Sequence, residues 1–280
     1  MTQVMLLALV LADTTYRAMP PAGEPTRYEF RSVSELAGAR TMRVEHKGVV
    51  RVSGDPSVLR MTFESLEVTL ALAGEDGGLV EDGFVLGEEA GRSLLDVAHA
   101  TMTREALEVT ISPEGVVRVH GPEFDARMER GDASGLAVSD VLGPFEPRAL
   151  EGWLSRLLAP DPGEARARGV GESWAWRVAG PAADGVLTTG VEWAVREEGV
   201  IGGTIAVSLD ARPGEDGSTP RVTIEESEGR AEARWAGGMP ESYTEKRRAR
   251  VGATLDAGGG PPVAREVTAS IELSLRRRDR

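Results

Sequence analysis

The side chains that could act as metal ligands or as a nucleophile are three histidines, His46, His99 and His120, and one serine two residues after a glycine, Ser173. The histidines are far apart in the sequence and lack the paired spacing of helical zinc sites. Ser173 precedes a tryptophan-rich strand pattern, whereas a nucleophile elbow requires a helix after the serine. We therefore predict satisfied or exposed histidines, a serine at the start of a strand, and no catalytic residue, metal or cofactor.

Acidic residues cluster with glycine at 75–77, 81–83 and 215–217. None of these segments has the D-x-D-x-D-G frame of a calcium loop, so they are predicted to be solvated turns. Carboxylate pairs for acid–base catalysis have no spacing signature in a β protein, because strands can bring distant carboxylates together. A carboxylate-dependent hydrolase therefore stays an alternative function.

The charge balance argues against nucleic acid and anionic membrane surfaces as partners. The chain has 32 Lys and Arg residues against 45 Asp and Glu residues, a net charge of −13, and an acidic surface repels phosphate groups. Two basic runs, 246–250 and 276–278, are local exceptions that we interpret as charged edge strands.

This chain has no cysteine, which excludes disulfides, thiolate metal sites and cysteine nucleophiles within it.

Five tryptophans all lie in the second half of the chain. Trp174, Trp176 and Trp193 occupy alternating positions of strand-like segments, and Trp153 lies in a helical pattern. Two interpretations are open: these rings fill the core, or they line an apolar groove in a curved sheet. Trp153, Trp174, Trp176 and Trp193 are therefore the candidate ligand-binding residues.

The elements that must position these side chains are mainly strands, because apolar and polar residues alternate along most of the chain. Within 58–72 the alternation shifts by one residue, which predicts a β-bulge at Glu64 and Ser65. Residues 107–120 are predicted to form a hairpin with Pro and Gly in its turn. A weaker helical pattern covers 90–103.

One segment has a clear helical period. Its apolar residues recur at i, i+3, i+4, i+7 and i+8, which predicts an amphipathic helix over 147–159. Pro147 is suited to its first turn, and the Pro- and Gly-containing stretch after it ends the helix. The apolar positions are Leu150, Trp153, Leu154, Leu157 and Leu158.

The N-terminal run of nine apolar residues, 4–12, has the length of a signal-peptide core and is too short to cross a membrane. It lacks the basic residues that usually precede such a core. Cleavage before Asp13 and export are one interpretation, and a first strand or buried arm is the other. Proline-rich residues 13–26 are predicted to be a linker, with the ordered fold beginning near Arg27.

The predicted organisation has two related halves. Residues 28–72 and 174–211 show the same succession of strands, and 107–120 and 221–235 resemble corresponding hairpins, which suggests an internal repeat. The predicted units are a signal-like segment and linker (1–26), a first β unit (27–146), a helix and linker (147–165) and a second β unit (166–280).

Two short segments, 106–121 (ALEVTISPEGVVRVHG) and 170–174 (VGESW), carry a resemblance to a known family. They resemble segments of an uncharacterised family of exported, β-rich proteins from planctomycete-type bacteria. A composition rich in arginine, alanine and glycine suits such a source. The resemblance implies export and β architecture. It implies no functional residues, because the family has no assigned activity.

The predicted fold is mainly β, with two related, antiparallel, curved sheet units joined by the amphipathic helix in a half-barrel or sandwich-like arrangement. The predicted function is that of a non-enzymatic, periplasmic or secreted protein with an envelope-accessory or binding role. One alternative is a carrier of an apolar ligand, a lipid or lipoprotein, in a concave sheet face. Its partner would be an apolar small molecule or another envelope protein. A continuous apolar hollow beneath helix 147–159 favours the carrier; a fully packed interior favours a structural module.

Overall fold

The computed structural model describes residues 14–19, 25–38, 41–55, 57–73, 106–121, 147–163, 166–182, 185–211, 222–255 and 263–278. These residues form mainly strands, in two antiparallel sheets, together with one helix. The predicted helix 90–103, the acidic glycine segments and His99 lie outside the described residues, as does the apolar run 4–12. The prediction of a mainly β, curved antiparallel fold is confirmed.

The strands are named in chain order. In the first half they are β1 (Thr14–Thr15), β2 (Thr26–Ala37), β3 (Thr41–Gly54), β4 (Val58–Ala73), β5 (Leu107–Ile111) and β6 (Val117–His120). The helix α1 (Pro147–Leu158) follows. In the second half they are β7 (Ala167–Arg168), β8 (Ser173–Ala182), β9 (Gly185–Glu197), β10 (Val200–Ala211), β11 (Val222–Ala236), β12 (Met239–Leu255) and β13 (Val263–Arg277).

One sheet of 11 strands contains both halves of the chain, in the order β6-β5-β4-β3-β2-β13-β12-β11-β10-β9-β8. Neighbours are antiparallel, both where a short connection joins them, as for β2 and β3, and where none does, as for β2 and β13. The joint between the halves is the pairing of β2 with β13, in which Phe30 lies opposite Leu275. The remaining strands, β1 and β7, pair with each other in a small second sheet.

The predicted bulge is present in β4. Ser65 pairs with Val49 and Phe63 pairs with Val50, which leaves Glu64 as the extra residue. Gly48 permits this close approach, because a Cβ there would lie 2.1 Å from the Ser65 carbonyl oxygen. The bulge keeps Leu66, which is buried, on the same side of the sheet as Phe63.

Helix α1 lies against one face of the large sheet, which we call the inner face. Its residues Leu150, Leu154, Leu157 and Leu158 are buried in the same core as the sheet residues, as the predicted stripe requires. The helix ends at Leu158, the carbonyl oxygen of which accepts a hydrogen bond of 2.7 Å from the Ala18 amide. The prediction of a helix over 147–159 is therefore confirmed to within one residue.

Three expectations are corrected. The basic runs 246–250 and 276–278 do not lie on edge strands: β12 and β13 are central, because β13 pairs with β2. Residues 221–235 are not a hairpin, since the single strand β11 passes straight through the predicted turn. The segment 13–26 is not simply a linker: Tyr16, at 0% exposure, is part of the core.

Candidate ligand-binding groove

A groove of about 920 Å³ lies beneath α1 on the inner face of the sheet. This volume is within the range of sites that bind small molecules. Strands β2, β3, β4, β12 and β13 supply the floor, while α1 and the strands β8 and β9 supply the walls. The inner face is therefore packed in one part and hollow in another.

The floor of the groove is largely apolar because strand residues alternate between the two faces of the sheet. Every second residue of β2, β4 and β13 turns inward, and the intervening charged residues turn outward. The apolar floor residues are Phe30, Val50, Met61, Phe63, Leu273 and Leu275. Polar side chains of Ser32, Ser34 and Arg247 also line the groove, so its floor is mainly but not wholly apolar.

The groove opens to solvent between three apolar side chains. Val116, in the β5–β6 turn, is 47% exposed, Val178 in β8 is 40% exposed and Leu187 in β9 is 39% exposed. All three line the groove. We call these three side chains the entrance residues, because they line the groove and are also partly exposed to solvent.

The four candidate tryptophans divide between the groove and the core. Trp153 of α1 and Trp176 of β8 line the groove. Trp193 is fully buried, and its ring covers Gly203, where a Cβ would lie 2.7 Å from the ring. Trp174 donates a hydrogen bond of 2.7 Å from Nε1 to the Pro160 carbonyl oxygen. Trp174 and Trp193 thus belong to the packed part.

A buried ion pair joins the helix to the floor of the groove. Arg156 of α1 donates two hydrogen bonds to Glu245 of β12, at 2.9 Å from Nε and 3.0 Å from Nη2. Its third nitrogen, Nη1, donates to the Gly152 carbonyl oxygen at 2.9 Å. The guanidinium carbon also lies 5.8 Å from the Trp176 ring centroid, within cation–π range. Each of the three nitrogens of Arg156 therefore donates a hydrogen bond within the protein.

Two further residues of β12 complete this group, which we call the groove cluster: Arg156, Tyr243, Glu245 and Arg247. The Tyr243 hydroxyl donates a hydrogen bond to Glu245 Oε2. Arg247 Nε lies 2.6 Å from Glu245 Oε1, but its N–H is not aligned for a hydrogen bond. The cluster holds two guanidinium groups and one carboxylate, which leaves one formal positive charge.

The environment of the groove cluster changes the titration of its members. Burial alone would raise the pKa of Glu245, but Arg156 and Arg247 outweigh burial and hold that pKa below its ordinary value. Burial raises the pKa of the Tyr243 hydroxyl, and the adjacent Glu245 carboxylate raises it further. Burial lowers the pKa of Arg247, although Glu245 partly offsets this effect. The surroundings of Arg247 therefore disfavour the charged form of its guanidinium group.

A second buried group, the loop cluster, consists of Arg17, Asp161 and Arg168. Arg168 donates two hydrogen bonds to the Asp161 carboxylate, at 2.8 Å from Nε and 2.6 Å from Nη2. The Arg17 guanidinium donates to three backbone carbonyl oxygens, those of Pro113, Asp161 and Gly163. It thereby connects the N-terminal segment to the β5–β6 turn and to the loop after α1.

The groove cluster is not apparent from the sequence, because residues 246–250 resemble a single basic run. The alternation of residues along β12 could have revealed it. Tyr243, Glu245 and Arg247 occupy alternate positions and therefore lie on one face of the strand, as does the apolar Val251. A strand that turns Tyr243 into the core must therefore turn Arg247 inward as well. The alternating residues Lys246, Arg248 and Arg250 are exposed.

The other predicted chemical residues are not brought together. Ser173 begins β8, as predicted. His46 is fully buried in β3, and His120 is exposed at the end of β6. Among the described residues, no group of three or more His, Asp or Glu side chains is placed to hold a metal ion. No helix in the described part of the chain is long and apolar enough to span a membrane.

No family model and no curated protein sequence matches the chain. Among solved structures it is similar to lipovitellin, in a structure concerned with lipid–protein interactions, at 8% identity and a TM-score of 0.48. That match covers 92% of this chain and 25% of the lipovitellin chain. The chain is also similar to OccK5 (OpdH) of Pseudomonas aeruginosa at 8% identity and a TM-score of 0.19, covering 91% of this chain and 98% of that chain. Likenesses this distant carry no argument about function.

Proposed function

We propose that the protein is a non-enzymatic binding protein that holds an apolar or amphipathic small molecule in the groove beneath α1. The observation that carries this proposal is a hollow of about 920 Å³ with an apolar floor and an apolar entrance. An open groove of this volume with a mainly apolar floor has the size and lining of sites that bind small molecules. If the protein is a carrier, the ligand class that we propose is a lipid or a lipid-modified protein segment.

The groove offers little to the alternative of a carboxylate-dependent hydrolase. A catalytic acid needs a raised pKa and a free proton. Glu245 has a lowered pKa, and its oxygens are occupied by Arg156 and Tyr243. Glu151, which also lines the groove, accepts a hydrogen bond of 3.1 Å from the Val119 amide and pairs with Arg118. Both carboxylates, of Glu245 and Glu151, are therefore engaged in structural hydrogen bonds and ion pairs.

The proposal is tested with N-phenyl-1-naphthylamine, an uncharged probe whose fluorescence rises in apolar sites. We expect saturable binding by the wild-type protein. Ser34→Trp places an indole ring on the floor of the groove and should abolish that binding. The matched control is Glu35→Trp, because adjacent residues of β2 point to opposite faces. Absence of binding by the folded wild-type protein, or equal binding by both variants, would refute the proposal.

The same proposal predicts a bound ligand in protein purified from its native host. Native mass spectrometry should show a mass excess that denaturation releases. The Ser34→Trp protein purified in the same way should lack it. A wild-type protein without any mass excess would favour a structural module over a carrier.

Export is a further part of this proposal. Cleavage before Asp13 would leave in place Thr14, which pairs with Arg168, and Tyr16, which is fully buried. N-terminal sequencing of the protein from its native host should therefore begin near Asp13. An intact Met1 would contradict export by this route.

A further inference from the structure

The groove cluster and the loop cluster contain the same charges but differ in hydrogen bonding. Each has two arginines and one carboxylate, and in each the first arginine makes two hydrogen bonds to that carboxylate. The second arginine of the loop cluster, Arg17, donates to three carbonyl oxygens. A buried guanidinium group needs such acceptors, because desolvation is otherwise uncompensated.

The second arginine of the groove cluster lacks such acceptors. Among the residues that the structure describes, Arg247 has one ion pair, to Glu245, and makes no hydrogen bond. Its side chain is 22% exposed and lines the groove. The Glu245 carboxylate already receives the donors of Arg156 and Tyr243. The spare donors of Arg247 are therefore available only from the groove.

We propose that the ligand of the groove is an amphiphile with an anionic head group, and that Arg247 binds this head group while the apolar tail lies along the floor. This inference rests on the proposed function and names the ligand class of the same site. One negative charge would balance the formal charge of the groove cluster. Carboxylate and phosphate oxygens both match a guanidinium group, and both make strong, charge-assisted hydrogen bonds with it.

The position of Arg247 agrees with a ligand that has two ends. Phe30, Phe63 and Leu275 provide apolar surface on the neighbouring strands of the floor. Arg247 lies on β12, beside β13, so the charged and apolar parts of the groove adjoin. A wholly apolar molecule would desolvate Arg247 and leave it with only the Glu245 carboxylate, which Arg156 already shares. An anionic amphiphile removes that cost.

The test measures displacement of N-phenyl-1-naphthylamine by three ligands with the same sixteen-carbon tail: palmitate, hexadecyl phosphate and the uncharged 1-palmitoylglycerol. We expect the wild-type protein to bind one or both anions at least about tenfold more tightly than the uncharged ligand. The two anionic ligands distinguish a carboxylate from a phosphate head group. Equal affinity for all three overturns the inference without any variant.

Arg247→Met should reduce the affinity for the preferred anion by roughly 10- to 100-fold and leave the affinity for 1-palmitoylglycerol unchanged or raised. The control is Arg248→Met, the exposed neighbour on the outer face of β12, which should bind like the wild type. Arg247→Lys should restore part of the preference for anions. Loss of affinity for the charged and uncharged ligands alike would show a structural role and overturn the inference. If the wild-type protein does not bind the uncharged probe at all, the proposed function itself fails.

Discussion

The loop cluster and the groove cluster contain the same charges, two arginines and one carboxylate. They differ in the acceptors available to the second arginine, which is Arg17 in the loop cluster and Arg247 in the groove cluster. Arg17 connects three stretches of backbone through Nη1 and Nη2, which donate to three carbonyl oxygens of the chain, while its Nε has no hydrogen bond to a described residue. Arg247 turns toward the groove and has no such acceptors among the described residues. A guanidinium group whose Nη atoms donate to backbone carbonyl oxygens ties the fold together, whereas one whose Nη atoms face a groove, with an ion pair to Glu245 alone, is informative about a ligand.

The largest effect is expected from removing the carboxylate of each cluster. Glu245→Gln leaves the buried Arg156 and the groove-facing Arg247 without a counter-charge, so we expect a loss of about 3–5 kcal/mol in the free energy of unfolding. Asp161→Asn should cost less, because it deprives only Arg168 of its carboxylate and leaves the carbonyl acceptors of Arg17 in place. Urea denaturation measures both. Glu192→Gln, at an exposed outer-face position, is the neutral control.

Equal losses from Glu245→Gln and Asp161→Asn would contradict this ranking. Such a result would mean that Arg247 contributes nothing to the electrostatics of the groove cluster. The Arg156–Glu245 and Arg168–Asp161 ion pairs would then contribute equally to stability.

The second prediction concerns the two spare arginines directly. Arg17→Met leaves three carbonyl oxygens without their donor and should cost about 2–3 kcal/mol. Arg247→Met removes a desolvated charge together with its ion pair to Glu245, two effects of opposite sign, so the free energy of unfolding of the ligand-free protein should change by no more than about 1 kcal/mol. Thermal unfolding of delipidated protein gives both values. A strongly destabilised Arg247→Met protein would show that Arg247 is a structural residue like Arg17.

This contrast also shows what the sequence could predict. The strands, the bulge at Glu64 and the helix α1 follow from the periods of apolar residues, because burial of one face imposes those periods. The predicted hairpin at 221–235 failed because Glu228 and Gly229 resemble turn residues locally. In the sheet, Gly229 instead makes room beside Arg247, the Cγ of which would lie 2.8 Å from a Cβ at that position.

The candidate site was harder to predict than the fold. Two of the four candidate tryptophans, Trp153 and Trp176, line the groove, but alternation alone does not say which part of an inner face is packed and which is hollow. The pair of Arg156 with Glu245 joins residues that are 89 positions apart. No local pattern carries such a contact, since it depends on where α1 lies across the sheet.

The third prediction concerns acid stability. Because the folded state lowers the pKa of Glu245, this carboxylate contributes stability that is fully present above its unfolded pKa, about 4.3, and is lost as the pH falls through the folded value. Glu45, with its pKa lowered to about 2 by Arg31 and Lys47, contributes in the same direction. The free energy of unfolding of the wild type should therefore fall between pH 5 and pH 2.

Glu245→Gln should show a flatter decline over that pH range in urea titrations, because the substituted side chain does not titrate. Glu45→Gln serves as a comparison outside the groove, since it removes a surface carboxylate with a similarly lowered pKa. If the Glu245→Gln profile runs parallel to that of the wild type, Glu245 has the same pKa in the folded and unfolded states, and the groove cluster is not the strong electrostatic unit described here.

The smallest effect on stability is expected at the entrance of the groove. Leu187, at 39% exposure, is already largely in water, so Leu187→Ser should change the free energy of unfolding by no more than about 0.5 kcal/mol. It should nevertheless weaken binding of N-phenyl-1-naphthylamine several-fold, because apolar contact area at the entrance is lost. Val222→Ser is the matched control: Val222 is 36% exposed but does not line the groove. Identical probe binding by the two variants would show that the probe does not contact Leu187. Ligands would then not reach Arg247 through this entrance.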